Sequence, residues 1–317
     1  MPDVVVVGAG VIGAACAEAL GRHGLQVSVY DRGGPASATT ASGEGNVLVS
    51  DKSPGPELTL ARASRRRWPE LLAELAELTD AAELTGTGAE LTGTGDSGPS
   101  DSGPGDAEWE AKGGLVVATA PESADALAEF AATQRAAGVD ARTVSATEAA
   151  ALEPHLTSEL AYAVHYPEDG QLNPVAATTA LLAGVRQRGG EVVAGVTVTG
   201  VLRTRHGAVQ GVRTSAGPVS CGAVVNACGP WAGQFAARLG LALAVTPRRG
   251  NVLVTAPVPG LVRHKVYDAD YVGAVASGEA GVRTSAVVES TRAGTVLIGS
   301  SRERVGFDDT IRIAVVR

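Results

Sequence analysis

"VVVVGAGVIGAACAEALGRHGLQVSVYDR", residues 4–32, decides the fold. Val4 to Val7 is a β-branched run of the kind that a parallel strand buried on both faces requires. Glycines follow, then a helical segment ending near Gly24, and Val27 to Tyr30 reads as a second strand. Gly8, Gly10 and Gly13 form G-x-G-x-x-G between strand and helix. In that context Gly8 permits the tight turn, Gly10 lets backbone approach a pyrophosphate, and Gly13 lets helix and strand pack closely. The N–H groups at the helix start then face the phosphates, the dipole adding about 0.3 to 1 kcal/mol. Asp31 ends the second strand, where a carboxylate can accept from both hydroxyls of a ribose and disfavours a 2′-phosphate.

This fingerprint fits NAD and FAD alike, and the remainder of the chain favours FAD. Outside the low-complexity stretch at 82–106, no second G-x-G-x-x-G follows for a nicotinamide nucleotide. After Asp31 the chain runs into "GGPASATTASGEGNVLVSDKSPGPEL", a small-residue loop able to lie against a long extended ligand, where a dehydrogenase would start its next parallel strand.

At 317 residues the chain exceeds what one core usually serves, so two domains are expected. Hydrophobic residues make up 44% and charged residues 19%, as in a globular enzyme, while 3% aromatic content argues against a surface of stacking rings. A net charge of -8 repels phosphodiester backbones, which excludes nucleic acid as a partner. Cys16, Cys221 and Cys228 share no metal-ligand spacing and point to a reducing, cytoplasmic setting. The glycine-punctuated start reads as strand and helix, with neither signal peptide nor transmembrane segment.

Further along, residues 56–82 read as helix, bent or broken at Pro69, with Arg65, Arg66 and Arg67 on a solvated face. "AELTGTGAELTGTG" at 82–95 is a duplicated heptad followed by "DSGPSDSGPGD", a composition too polar to order itself. "GGLVVATA" is a strand and the segment after it an amphipathic helix. "SATE" at 145–148 has the form of a capping box, and Asn173 with Pro174 opens another helix. "VLRTRHGAVQGVRT" is a hairpin turning at His206 and Gly207, and beyond Thr246 the pattern is all short strands. The fold class is α/β, a Rossmann-like domain interleaved with a mainly antiparallel sheet domain.

"VVVVGAGVIG", "ATTASGEGNVLVSDK", "VTVTGV", "VVNACGPWAG", "TPRRGNVLV" and "GTVLIGSSRERVGFD" together resemble, in order and spacing, the FAD-dependent D-amino-acid oxidase superfamily in its glycine oxidase and sarcosine oxidase branch. The resemblance implies FAD-binding parts at 1–83 and 146–243, substrate-domain parts at 107–145 and 244–317, and a disordered insertion at 84–106. It implies that Gly8, Gly10 and Gly13 hold the FAD pyrophosphate and Asp31 the adenosine ribose. Thr39, Thr40, Ser42, Gly45 and Asn46 match the loop running toward the isoalloxazine, and Val198 the strand whose backbone meets adenine. Gly229 and Trp231 match the turn that returns backbone to the cofactor. Tyr271 falls where relatives place a tyrosine near the substrate carboxylate.

The chemistry so implied is oxidation of the CH–NH bond of a small amine or amino acid. Hydride passes to flavin N5, the imine hydrolyses, and oxygen or a protein or quinone acceptor takes the electrons. Relatives supply a carboxylate-binding arginine from a C-terminal segment resembling "GLRPxTPDGxPxIG", which this sequence lacks, with Arg248, Arg249 and Arg283 as possible substitutes. A truncated, noncatalytic nucleotide-binding remnant or subunit is therefore the alternative, and an NAD-linked dehydrogenase a more distant one.

Overall fold

The computed structural model describes residues 1–84, 106–269 and 283–313. Tyr271 and most of the low-complexity segment lie outside them. In chain order the elements are β1 (Val4–Val7), α1 (Val11–Arg22), β2 (Val27–Tyr30), β3 (Asn46–Val47), α2 (Pro56–Leu84), β4 (Gly114–Ala118), α3 (Pro121–Ala136), β5 (Arg142–Thr143) and α4 (Ala146–Leu152). They continue with β6 (Tyr162–Tyr166), β7 (Gly170–Gln171), α5 (Pro174–Gln187), β8 (Glu191–Val193), β9 (Val198–Arg203), β10 (Val209–Thr214), β11 (Gly217–Ser220) and β12 (Ala223–Asn226). A single 3-10 turn at Gly229–Trp231 leads into α6 (Ala232–Arg238), and β13 (Leu253–Pro257), β14 (Lys265–Asp268), β15 (Arg283–Ser290) and β16 (Thr295–Arg302) close the order.

The chain divides into two units, each assembled from three stretches: residues 1–43, 69–107 and 173–246, and residues 44–68, 108–172 and 247–317. The fold is the interleaved α/β arrangement expected, but these boundaries differ from the sequence-based ones. Residues 44–68 and 146–172 fall in the second unit because β3 and β7 pair with each other and β6 pairs with β4. Those pairings join segments far apart in sequence, which periodicity cannot reveal. One boundary falls between Trp68 and Pro69, inside α2. Contrary to the expected break, α2 is one helix through Pro69, forgoing a single backbone hydrogen bond.

In the first unit a parallel sheet of order β12-β1-β2-β8 carries α1 and α5. Val4 to Val7 are buried throughout, as that run requires. Glu18, buried in α1, takes Arg22 and Arg188 at 3.0 and 3.3 Å. A second sheet, β11-β10-β9, is antiparallel and turns between β9 and β10 at Gly207, whose φ is +86°. Val5, Tyr30, Val198, Val212 and Phe235 form a core shared by the two sheets and α6.

The second unit centres on a seven-stranded sheet of order β13-β16-β15-β14-β4-β6-β5, antiparallel except where β14 lies parallel to β4. Its core joins Val49, Leu58, Val116, Leu127, Val164, Tyr166 and Tyr267. Ser145 and Glu148 form the predicted capping box, and Asn173 Oδ1 accepts the Val175 and Ala176 amides at the head of α5. Arg65 departs from the expected solvated face: its Nε donates to the Glu168 carbonyl at 2.7 Å, and its guanidinium lies 5.8 Å from the Trp109 ring centre. Among the described residues no helix is long and apolar enough to cross a membrane.

Candidate functional site: a dinucleotide cavity in the first unit

The turn after β1 admits only glycine at two of its three glycine positions. Gly8 has φ +111°, and a Cβ on it would lie 2.3 Å from the Ala227 carbonyl oxygen. A Cβ on Gly13 would lie 1.8 Å from the Gly8 carbonyl oxygen, so α1 and the turn touch backbone to backbone there. At Gly10 the nearest atom to such a Cβ would be Thr40 Oγ1 at 3.0 Å. Gly8 and Gly13 are thus packed against backbone, and Gly10 lies on the open side.

That open side is a cavity of about 200 Å³ lined by Gly8, Gly10, Asp31, Thr39, Thr40, Val198, Gly229 and Trp231, all predicted site residues. Gly13 stands behind Gly8, away from the lining. Ser42 ends the turn after Thr40, its hydroxyl donating to the Ala38 carbonyl at 3.2 Å, and does not line the cavity. Gly45 and Asn46 belong to the second unit, while Tyr271 lies outside the described residues.

Asp31 organises the wall. Its Oδ2 accepts the Ala9 amide and its Oδ1 the Gly33 amide, each at 2.8 Å. Thr40 Oγ1 accepts the Val11 amide at 3.1 Å, at a helix start that Gly10 leaves without a side-chain cap. The loop between them is strained: Ala36 and Ala38 have φ of +56° and +61°, a region that residues with a Cβ rarely adopt. The Ala36 amide donates to the Ala9 carbonyl at 2.9 Å, which fastens this loop to the glycine turn.

Sequence reasoning missed the cations. Arg32 and Arg238 line the same cavity, and the Arg32 guanidinium lies 4.1 Å from the Trp231 ring centre. Two guanidiniums against one carboxylate leave positive charge for a diphosphate. The adjacency of Arg32 to Asp31 was the available signal; nothing local marked Arg238. Burial pushes the Cys228 thiol in this wall up to about 11, Asp31 adding to the rise and the two arginines opposing it. It is therefore a protonated wall residue at neutral pH, with no nucleophilic role.

Arg249, a candidate carboxylate fork, is engaged elsewhere. It pairs with Glu303 at 3.0 Å and Asp308 at 3.4 Å and donates to the Asp308 and Thr310 carbonyls. His165 meets His264 edge-on at 5.6 Å, and burial lowers its pKa, which fits a structural histidine.

A family model described as "DAO: FAD dependent oxidoreductase" matches residues 3–317. The chain belongs to this FAD-dependent oxidoreductase family. It is 31% identical over 261 residues to the glycine oxidase of Geobacillus kaustophilus, covering 81% of this chain and 62% of that protein. It is 27% identical over 348 residues to hydrogen cyanide synthase subunit HcnC of Pseudomonas aeruginosa, covering 96% of this chain and 73% of that one. The crystal structure of glycine oxidase from Geobacillus kaustophilus superposes with a TM-score of 0.79 at 26% identity, over 99% of this chain and 75% of that chain. The chain thus spans about three fifths to three quarters of the length of these relatives. FAD is the cofactor of the family, and the first-unit cavity fits its adenosine diphosphate half: a glycine cradle, a carboxylate at the second strand end and two cations.

Proposed function

We propose that this protein oxidises the CH–NH bond of a small amine or amino acid with FAD as its bound cofactor. The observation that carries the reading is the cavity in which Gly8, Gly10, Asp31, Thr40, Val198 and Trp231 meet. The likeness to glycine oxidase supports the substrate class. When bound, FAD supplies a two-electron acceptor: the substrate loses its α-hydrogen as hydride and a proton from nitrogen, and water then hydrolyses the imine to an oxo compound and ammonia or an amine.

The chain's own residues bind and orient. Gly8 and Gly10 bring amides against the diphosphate, and the N-terminal end of α1 favours its charge. In this reading Asp31 accepts from the ribose hydroxyls while it keeps its two backbone partners, since each carboxylate oxygen has two lone pairs. Val198, opening β9, borders the adenine, and Arg32 and Arg238 neutralise phosphate charge. Asn46 and Tyr271 are proposed contacts nearer the reacting end. The electrons leave to oxygen or to a protein or quinone acceptor.

The test is reconstitution of the full chain with FAD, followed by anaerobic mixing with glycine, sarcosine, proline and D-amino acids. Bleaching of the flavin spectrum by at least one of these is expected. Flavin that binds stoichiometrically yet is bleached by none would favour a noncatalytic nucleotide-binding subunit instead.

A further inference from the structure

The edge-on packing of His165 and His264 in the second unit also brings together a set of metal-ligating nitrogens, none of which lines the first-unit cavity. β6, β4 and β14 are neighbours in the seven-stranded sheet. His165 lies on β6, His264 directly precedes β14, and Gly113 directly precedes β4. Gly113 has φ +78°, and a Cβ on it would lie 3.1 Å from His165 Nε2 and 3.3 Å from His264 Cδ2. Cδ2 is bonded to Nε2 in the imidazole ring. The Nε2-bearing edges of both rings therefore border one space, which the glycine leaves open.

Each ring keeps a nitrogen for a ligand. His264 Nδ1 meets Glu153 Oε1 at 2.9 Å, and the same oxygen accepts the Arg263 amide at 2.8 Å and the His264 amide. With a carboxylate on Nδ1, the neutral ring carries its proton there, and Nε2 offers a lone pair. Among the described residues neither His264 Nε2 nor either nitrogen of His165 has a hydrogen-bond partner, and none of the three is shut off from solvent. The His264 side chain is 15% exposed. Burial, followed by His264 and Arg142, lowers the His165 pKa, so that ring is neutral at pH 7. The nearby cations are matched by carboxylates: Arg142, opposite His165 on β5, is held by Asp140 at 2.8 and 2.5 Å, and Lys112 is within electrostatic reach of Glu153.

A neutral imidazole beside another whose far nitrogen is fixed by a carboxylate is a donor set for a borderline transition-metal ion. A metal about 2.0 to 2.1 Å from each nitrogen stands roughly 3.2 Å from each ring centre, which sets two such rings about 5.2 Å apart around a tetrahedral ion. The observed separation is 5.6 Å, with the ring planes at 89°. His165 makes up the difference by turning about χ2, a broad torsion in histidine. Mg²⁺ and Ca²⁺ prefer oxygen and are not served. Among the described residues no third His, Cys, Asp or Glu joins the pair, so water completes the coordination and the ion is exchangeable.

We propose that His165 and His264 form a divalent transition-metal site, preferring Cu²⁺ over Ni²⁺ and Zn²⁺, with Glu153 as the carboxylate that positions His264. A bound ion ties β6 to the head of β14 across β4, so metal should raise the melting temperature.

Calorimetric titration of the full chain with Cu²⁺, Ni²⁺, Zn²⁺, Ca²⁺ and Mg²⁺ near neutral pH tests the site. Cu²⁺ should bind most tightly, in keeping with the general order for nitrogen ligands, and Ca²⁺ and Mg²⁺ should not bind. His165→Ala and His264→Ala should each weaken Cu²⁺ at least tenfold. Glu153→Gln should weaken it about tenfold, because loss of such a partner costs about 10- to 100-fold. Affinity should fall on acidification as the imidazoles take up protons.

The chain has five histidines, and a variant carrying His23→Ala, His155→Ala and His206→Ala leaves only this pair. Paramagnetic resonance of its Cu²⁺ form should show two coupled imidazole nitrogens. One or none, affinity for Mg²⁺ equal to that for Cu²⁺, or undiminished Cu²⁺ affinity in folded His165→Ala or His264→Ala protein overturns the proposal. If the single alanine variants fail to fold, the nitrogen count in the triple variant decides.

Discussion

Asp31 Oδ2 accepts the Ala9 amide at 2.8 Å, so the carboxylate at the end of β2 fixes the glycine turn that follows β1. Asp31 thereby shapes the glycine turn and, in the proposed reading, also receives the ribose. Asp31→Ala should lower FAD affinity at least tenfold, since a hydrogen bond to a charged group contributes about 1.5 to 3 kcal/mol. Asp31→Asn, which keeps one acceptor oxygen, should fall between. Fluorescence titration of FAD measures both, and unchanged affinity in Asp31→Ala would remove this residue from the site.

Gly13→Ala forces a methyl group to within 1.8 Å of the Gly8 carbonyl oxygen unless α1 moves. A loss of about 1 to 3 kcal/mol or more is expected, with loss of flavin on gel filtration. Gly34→Ala meets nothing within 4 Å and should shift stability by less than about 0.5 kcal/mol. Comparable melting curves for the two variants would contradict the close approach.

Gln134 is a buried staple of the second unit. Its Nε2 donates to the carbonyls of Val49, Ser50 and Lys52 at 3.1, 3.1 and 2.9 Å, and its Oε1 accepts from Tyr166 at 2.7 Å. Gln134→Leu strands these groups and should cost about 3 kcal/mol or more in denaturant unfolding.

Asp169 is fully buried, and burial pushes its carboxyl up to about 6, only partly offset by the hydrogen bonds from Ser50 and Val49. A folded-state value above the unfolded one means that the native state binds the proton more tightly. Stability should therefore rise as pH falls from above about 6 toward the ordinary carboxylate range, and level off below it. Asp169→Asn keeps an oxygen for the Val49 and Ser50 amides and should flatten this dependence. Unfolding curves at several pH values between 4 and 7.5 read it directly, and the same slope in both proteins would place the titration elsewhere.

The first unit was largely legible because its signals are local. Four valines, three glycines and Asp31 fall within one βαβ stretch, and Gly8 and Gly13 answer to backbone clearances that no other residue meets. Ser145 with Glu148 and Asn173 with Pro174 were equally readable, since caps are written within three or four residues. The candidate site was legible only where it is local or where the resemblance carried it, as for Val198 and Trp231. Arg238 reaches the cavity from a helix with no motif of its own. The Lys265, Glu44 and Glu289 cluster brings together residues from three distant strands and loops, and no periodicity announces such a meeting. The two compact units divide at positions that no local signal marks for the same reason, since β3 and β7 are paired by tertiary packing.

The pairing of β1 with β12, Val4 opposite Ala223, has a bearing on synthesis. The first strand leaves the ribosome early, yet its neighbour on one side is not made until residue 226. Until then an apolar four-valine edge stands open to other nascent chains. Yield in a host should thus respond to chaperone supply and to slowed translation near the start, more than to any change in the finished protein's stability.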